Sequence, residues 1–191
     1  MKINILFLWI ILSLPLYSAT NLDVQDSLAK EFAHEVKTHL EKNNINVLKM
    51  KINDHEASWL IEQKVNNLLV KNEIKIKDKA MGRLFIIIKK IDPEYFFVKD
   101  DDDLLKRNIE LSLEYKIEGK GGLLHSDEFV RTFTDTLRKE NYLKYETPEH
   151  DFTQGNMPEE DLSFLEKYIE PVAIVGAAVL SVYLFFSIRS Q

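Results

Sequence analysis

The stretch Arg107 to Ile117, RNIELSLEYKI, decides the fold. Ile109, Leu111, Leu113, Tyr115 and Ile117 fall on one side of an extended chain, and Asn108, Glu110, Ser112, Glu114 and Lys116 on the other. Side chains alternate across a strand, so this pattern specifies a strand with one buried face and one wet face. Gly119, Gly121 and Gly122 follow as a hairpin turn, and Leu123 to Leu137 reads as the returning partner. Upstream, Arg83 to Ile91 (RLFIIIKKI) is a continuous apolar run, expected as a central strand. Asp92 and Pro93 turn the chain, and Tyr95 to Val98 brings it back.

Before the strands come helical periods. Over residues 22–42, Leu28, Phe32, Val36 and Leu40 share one helical face with Ala29 and Ala33 beside them, and Asn43-Asn44 stops the run. Ile45 to Ile52 alternates, with Leu48, Met50 and Ile52 on one side and Lys49 and Lys51 on the other. Asn53 followed by Glu56 has the spacing of a capping box for a second helix. That helix carries Ala57, Ile61, Val65 and Leu68, widened by Trp59, Leu60 and Leu69, and ends near Asn72. A short alternation at Ile74 and Ile76 precedes the apolar strand. The expected class is α+β, with two helices on one face of a mostly antiparallel sheet of about five strands. The domain is expected over residues 20–141. Residues 142–160 are polar, carry Pro148 and Pro158 and lack periodicity, so they read as a linker.

The two ends of the chain are apolar. Met1 to Ala19 has the form of an export signal: Lys2, an apolar stretch from Ile5 to Leu14, Pro15, then the small residues Ser18 and Ala19. Tyr17 suits a cut after Ala19 poorly, and Leu16 is more acceptable for a cut after Ser18. Pro171 to Ile188, PVAIVGAAVLSVYLFFSI, holds no charge and follows a juxtamembrane segment that opens at Asp161. At helical rise it would span about 27 Å, close to the hydrocarbon core of a bilayer. Acidic residues precede it and Arg189 follows it, which orients a single-pass helix with its C-terminus in the cytoplasm and the domain outside. Ala173, Ala177 and Ser181, with Gly176 adjacent, recur at a spacing that lets helices approach closely in lipid, a route to a homo-oligomer.

Composition narrows the function. Setting aside Lys2 and Arg189, 23 Lys and Arg stand against 31 Asp and Glu, a net charge of about −8. That argues against nucleic acid or anionic lipid headgroups as main partners. The chain has no cysteine, which excludes disulfides, thiolate metal sites, a cysteine nucleophile and a lipid-bearing cysteine anchor.

Candidate chemistry is sparse. His55-Glu56 opens like a zinc-protease motif, but Trp59 stands where the second His belongs. His34 and His39 are five residues apart, about 140° around a helix, and cannot share a metal on one face. Asp100 to Asp103 lacks the alternate ligands, glycine and terminal Glu of a calcium loop. Four adjacent carboxylates favour a solvated connection. His125 and Asp127 share a strand face with no evident nucleophile, and Glu128 points the other way. No catalytic residue, cofactor or metal ligand is assigned.

The run RNIELSLEYKIEGKGGLLHSDEFVRTFTDT, Arg107 to Thr136, resembles a hairpin of small envelope-assembly lipoproteins, those of lipopolysaccharide assembly and of curli-type secretion. The resemblance implies a bacterial envelope protein whose helices pack on a sheet. This chain departs from them in lacking the lipid-bearing cysteine. The expectation is a non-enzymatic, membrane-anchored protein whose extracytoplasmic domain (periplasmic in a Gram-negative cell) binds a protein partner in assembly or transport. The alternative is a ligand-binding sensor acting through a second membrane protein.

Overall fold

The computed structural model describes residues 19–99, 101–158 and 164–189. The expected export signal lies outside them except for Ala19. The chain divides into two compact units, one ending at Met157 and the other beginning at Pro158.

The first unit opens with α1 (Asn21–Lys42). Thr20 accepts a hydrogen bond from the Asp23 backbone N–H, and the Asp23 carboxylate accepts from the Thr20 backbone N–H, so both ends of a capping box are made. The helix stops where Asn44 adopts a φ of 55° and Ile45 N–H donates back to Leu40 O. A left-handed residue just past the last turn is a common helix stop, and Asn tolerates it. Strand β1 (Val47–Ile52) follows, then α2 (Ser58–Lys71) and the two-residue β2 (Lys75–Ile76). Strands β3 (Gly82–Lys90), β4 (Pro93–Val98), β5 (Asp101–Gly119) and β6 (Gly122–Arg138) complete the sheet.

The fold is α+β, and the sheet has six strands of mixed sense. β1 runs parallel to both β2 and β3, because α2 provides the crossover that parallel neighbours require. The β3–β5, β4–β5 and β5–β6 pairs are antiparallel. β5 serves as the common partner: its first half pairs with β4, its second half with β3, and nearly its whole length with β6. Ile109, Leu111, Leu113, Tyr115 and Ile117 are all buried, as the alternation demands. They join Leu28, Phe32, Val36 and Leu40 of α1 and Leu60, Ile61, Val65 and Leu69 of α2 in one core. Phe32 sits edge-on to both Tyr115 and Phe129, with ring centroids 5.4 and 5.3 Å away.

Local expectations fail in two places. The capping box at Asn53 and Glu56 is not made: α2 begins after Ala57 with no side-chain cap. The Asn53 side chain instead accepts from Ile88 N–H across to β3, and the Ala57 N–H donates to His55 Nδ1. Tertiary pairing took the side chain that local spacing had assigned to the helix. β3 is central as expected, lying between β1 and β5, with Leu84, Ile86 and Ile88 buried on one face and Ile87 39% exposed on the other.

Second, the expected linker does not begin at residue 142. Two short 3₁₀ turns, Lys139–Tyr145 and Asp151–Thr153, carry the chain back onto the domain. Phe152 and Thr153 are buried. Gln25 Nε2 donates to Phe152 O and Asn21 Nδ2 to Thr153 O, both from the first turns of α1. At Gly155 a Cβ would meet Pro93 O and the Tyr95 ring at 2.7 Å, so only glycine allows this close approach to β4. One buried aromatic ring and a few backbone carbonyls hold the segment, and neither produces a periodic pattern.

A buried arginine ties these pieces together. Arg107 is fully buried; its Nε and Nη2 donate to the two oxygens of Asp135 at 2.8 and 2.6 Å. Its Nη1 donates to Asn21 Oδ1 and to Ala19 O, and its guanidinium lies over the rings of Phe133 and Tyr145. One side chain thus joins β5, β6, the start of α1 and the first 3₁₀ turn.

The second unit contains α3 (Phe164–Arg189), a helix of 26 residues with Pro171 inside it. It covers the whole of the expected 171–188 segment. Its described side chains run unbroken only from Pro171 to Phe185. Among the described residues no helix is long and apolar enough to cross a membrane. Residues 159–163 of the expected linker and juxtamembrane segment are outside the described set.

Asp135→Ala leaves the buried guanidinium without its carboxylate. Asp135 is a quarter exposed, so the expected loss is about 3 kcal/mol, at the low end for a broken buried pair. Urea denaturation of the full chain measures it, and a loss under about 0.5 kcal/mol, as for an ordinary surface change, would show that Arg107 is not the tie described.

Candidate functional site

Two regions of the first unit hold more than packing requires. One is the sheet face turned away from the helices together with the edge at β6. The other is a cluster of ionisable side chains between α1 and the β5–β6 hairpin.

β6 is 17 residues long, and among the described residues its only strand partner is β5. Its outer side therefore carries no strand, and along it Glu128 N–H donates to Asp127 Oδ1 while Val130 O accepts from Arg131 Nη1. Edges of this kind are normally shortened, interrupted by proline or marked with lysine. β6 contains neither proline nor lysine, and from Phe129 to Thr134 its sequence FVRTFT carries one charge among aromatic and β-branched residues. Phe129 is buried, while Val130 and Thr132 are exposed. On the same uncovered face lie Val47, Ile87 and Phe96, 37 to 48% exposed. The strict alternation of β5 announced a wet face, but an edge of this length appears only once β3 and β4 are both placed on the opposite flank.

The ionisable cluster pairs residues far apart in sequence. His39 of α1 and His125 of β6 stack, with ring centroids 3.7 Å apart and planes 18° from parallel. Tyr115 O–H donates to Glu35 Oε1 at 2.9 Å and lies 3.1 Å from His125 Nε2. With the phenol proton committed to Glu35, the His125 Nε2–H is the donor in that second contact. Asp127 lies 3.9 Å from His125, and Arg131 is within 3.8 Å of Glu31 and Glu35. Burial pushes the Tyr115 phenol well above its usual range, and the Glu35 carboxylate adds to that. Burial, then the neighbouring His125, lowers His39. Neutral imidazoles can lie face to face, whereas two imidazolium rings would repel.

Other sequence candidates separate. His55 caps the Ala57 N–H, and His150 packs against Trp59 and Phe152. Asp101 to Asp103 are exposed at the start of β5, and Asp100 is outside the described residues. Among the described residues no group of three or more His, Asp or Glu is placed to hold a metal. Ala173, Gly176, Ala177 and Ser181 are exposed on α3, where Ser181 Oγ donates to Ala177 O within the helix. The His39–His125 stack had no sequence signal, since it depends on how α1 crosses the hairpin.

No family model matches the chain, and no curated protein matches it. Among solved structures it is similar to a minor lipoprotein from Acinetobacter baumannii, at 13% identity and a TM-score of 0.35, over 53% of this chain and 81% of that one. It is also similar to lipoprotein GNA1162 from Neisseria meningitidis, at 8% identity and a TM-score of 0.29, over 69% of this chain and 96% of that one. Both are bacterial lipoproteins, as are the proteins that the hairpin sequence resembles. Likeness at this level establishes neither a shared fold nor a shared function.

The His39 shift gives a pH dependence with a definite sign. Its folded pKa lies below the ordinary imidazole value of 6.5, so between the two values the unfolded chain binds more protons. Stability is then held above pH 6.5 and falls as pH drops through and below it. Urea midpoints measured from pH 7.5 to 5 should decline, and His39→Gln should flatten that decline. Parallel pH profiles for the two proteins would contradict the assignment.

Proposed function

We propose that this chain is a non-enzymatic protein of a bacterial cell envelope, held in the membrane by its C-terminal helix. Its domain lies outside the cytoplasm and binds a protein partner by adding an extended segment of that partner to the outer edge of β6. The observation that carries this reading is the long outer edge of β6, which no strand covers among the described residues and whose stretch from Phe129 to Thr134 holds a single charge. Strand addition draws its affinity from backbone hydrogen bonds and its specificity from alternate side chains. Here Val130 and Thr132 would offer the latter on the uncovered face. The export signal and the uncharged run from Pro171 to Ile188 support the location, and the acidic flank before that run supports the orientation. Ala173, Ala177 and Ser181 would let α3 pack against a second helix in the bilayer.

Thr132→Lys with Thr134→Lys puts two cations on the edge at exposed positions. Each should change folding stability by no more than about 0.5 kcal/mol. The expected result is an unaltered urea midpoint together with loss of the protein that co-purifies with the unaltered chain from native membranes. Recovery of that protein at the unaltered level, or no stoichiometric protein with either chain, would contradict the proposal.

The Arg107 geometry supports one of the two expected signal cleavage positions. Ala19 O accepts from the buried guanidinium at 2.9 Å, so cleavage after Ser18 keeps the acceptor and cleavage after Ala19 removes it. Intact-mass analysis of the exported protein should find Ala19 as its first residue. A chain beginning at Thr20 would contradict this.

A further inference from the structure

The uncovered sheet face is not uniform in charge. Register places Lys49 opposite Arg83, and Arg83 opposite Glu118; in the next row Lys51 lies opposite Phe85, and Phe85 opposite Lys116. Four cations and one aromatic ring therefore occupy a patch of two rows across three strands. Lys49, Lys51, Arg83 and Phe85, with Asp78 and Ala80 of the β2–β3 connection, line a cavity of about 330 Å³. The neutralising contacts are long and exposed: Lys49 to Asp78 at 3.8 Å and Arg83 to Glu118 at 3.6 Å. Such pairs contribute little. Lys51 and Lys116 have no ion-pair partner among the described residues.

Like charges side by side on neighbouring strands destabilise a sheet. A cationic patch in a chain of net charge −6 therefore opposes the trend of the rest of the surface. We infer that this cavity is a binding site for a small phosphate-bearing anion. The Arg83 fork suits a phosphate bidentately, Lys49 and Lys51 add point charges beside it, and half-buried Phe85 gives the attached group an apolar floor. Asp78 in the lining and Glu118 beside Arg83 disfavour an extended polyanion, and the cavity volume is that of a small-ligand site rather than a nucleic-acid groove. The phosphate could belong to a lipid headgroup or to a soluble phosphate ester. This site is independent of the β6 edge, and neither stands or falls with the other.

The test is a ³¹P NMR titration of the full chain in neutral maltoside micelles. One probe is inorganic phosphate and the other is phosphatidylglycerol dissolved in the micelles. Lys51→Gln with Arg83→Gln should weaken binding about tenfold or more, the loss expected for two charge-assisted contacts. Lys42→Gln with Lys120→Gln removes the same charge elsewhere and should leave binding unchanged. Circular dichroism checks that both variants fold. Saturable binding of inorganic phosphate assigns a soluble phosphate ester; binding of phosphatidylglycerol alone assigns a lipid headgroup. Binding of neither probe, or equal weakening by both pairs of substitutions, overturns the inference.

Discussion

A strand of 19 residues rises roughly 60 Å, more than twice the reach of an ordinary strand, and β5 uses that length to serve two partners on one side. β4 and β3 abut end to end along one flank, so the other flank must be filled by a single strand of matching length. β6 fills it, and the hairpin turn at Gly119 to Gly122 makes the pairing local and its register definite. Gly122, with a φ of 115°, supplies the backbone conformation that the turn requires. Ile109, Leu111, Leu113, Tyr115 and Ile117 of β5 then share one core with α1 and α2, and Arg107 fixes the end of the hairpin remote from the turn to the start of α1. The free outer edge of β6 follows directly from this arrangement. No strand of the first unit is left to cover it among the described residues.

Much of this was legible in the sequence wherever one residue type repeats with a fixed period. The alternation through Leu111, Leu113 and Tyr115, and the helical spacing of Leu28, Phe32, Val36 and Leu40, each identified an element and its inner face. The order of strands across the sheet was not legible, because two flanks of one strand look alike in a sequence. The parallel placement of β1 beside β3 is of the same kind. Asn53 shows a different limit: its spacing to Glu56 fitted a helix cap, but an acceptor for Ile88 N–H was worth more in the folded chain. Phe152 shows a third, since a single aromatic among polar residues has no period and yet occupies the core.

The functional surface was less legible than the fold. Net charge averages over the whole molecule, so an acidic total concealed the cationic row formed by Lys49, Lys51, Arg83 and Lys116. Those residues lie on three strands and meet only through register. His39 and His125 are likewise brought together by the crossing of α1 over the hairpin. What the sequence did show was the wet face of β5, and the uncovered sheet face follows from it. The apolar run RLFIIIKKI is a central strand as expected, between β1 and β5, and the exposed Ile87 marks its uncovered face.

The claim that β6 is an edge kept open for a partner can be measured without knowing the partner. Amide hydrogen exchange over residues 122–138 should be compared between the purified chain and the same chain in native membranes. Occupation of the edge predicts that protection rises in membranes at alternate residues of β6, those whose N–H groups point away from β5, while β1 and α2 stay unchanged. Identical exchange along β6 in the two states would contradict the account.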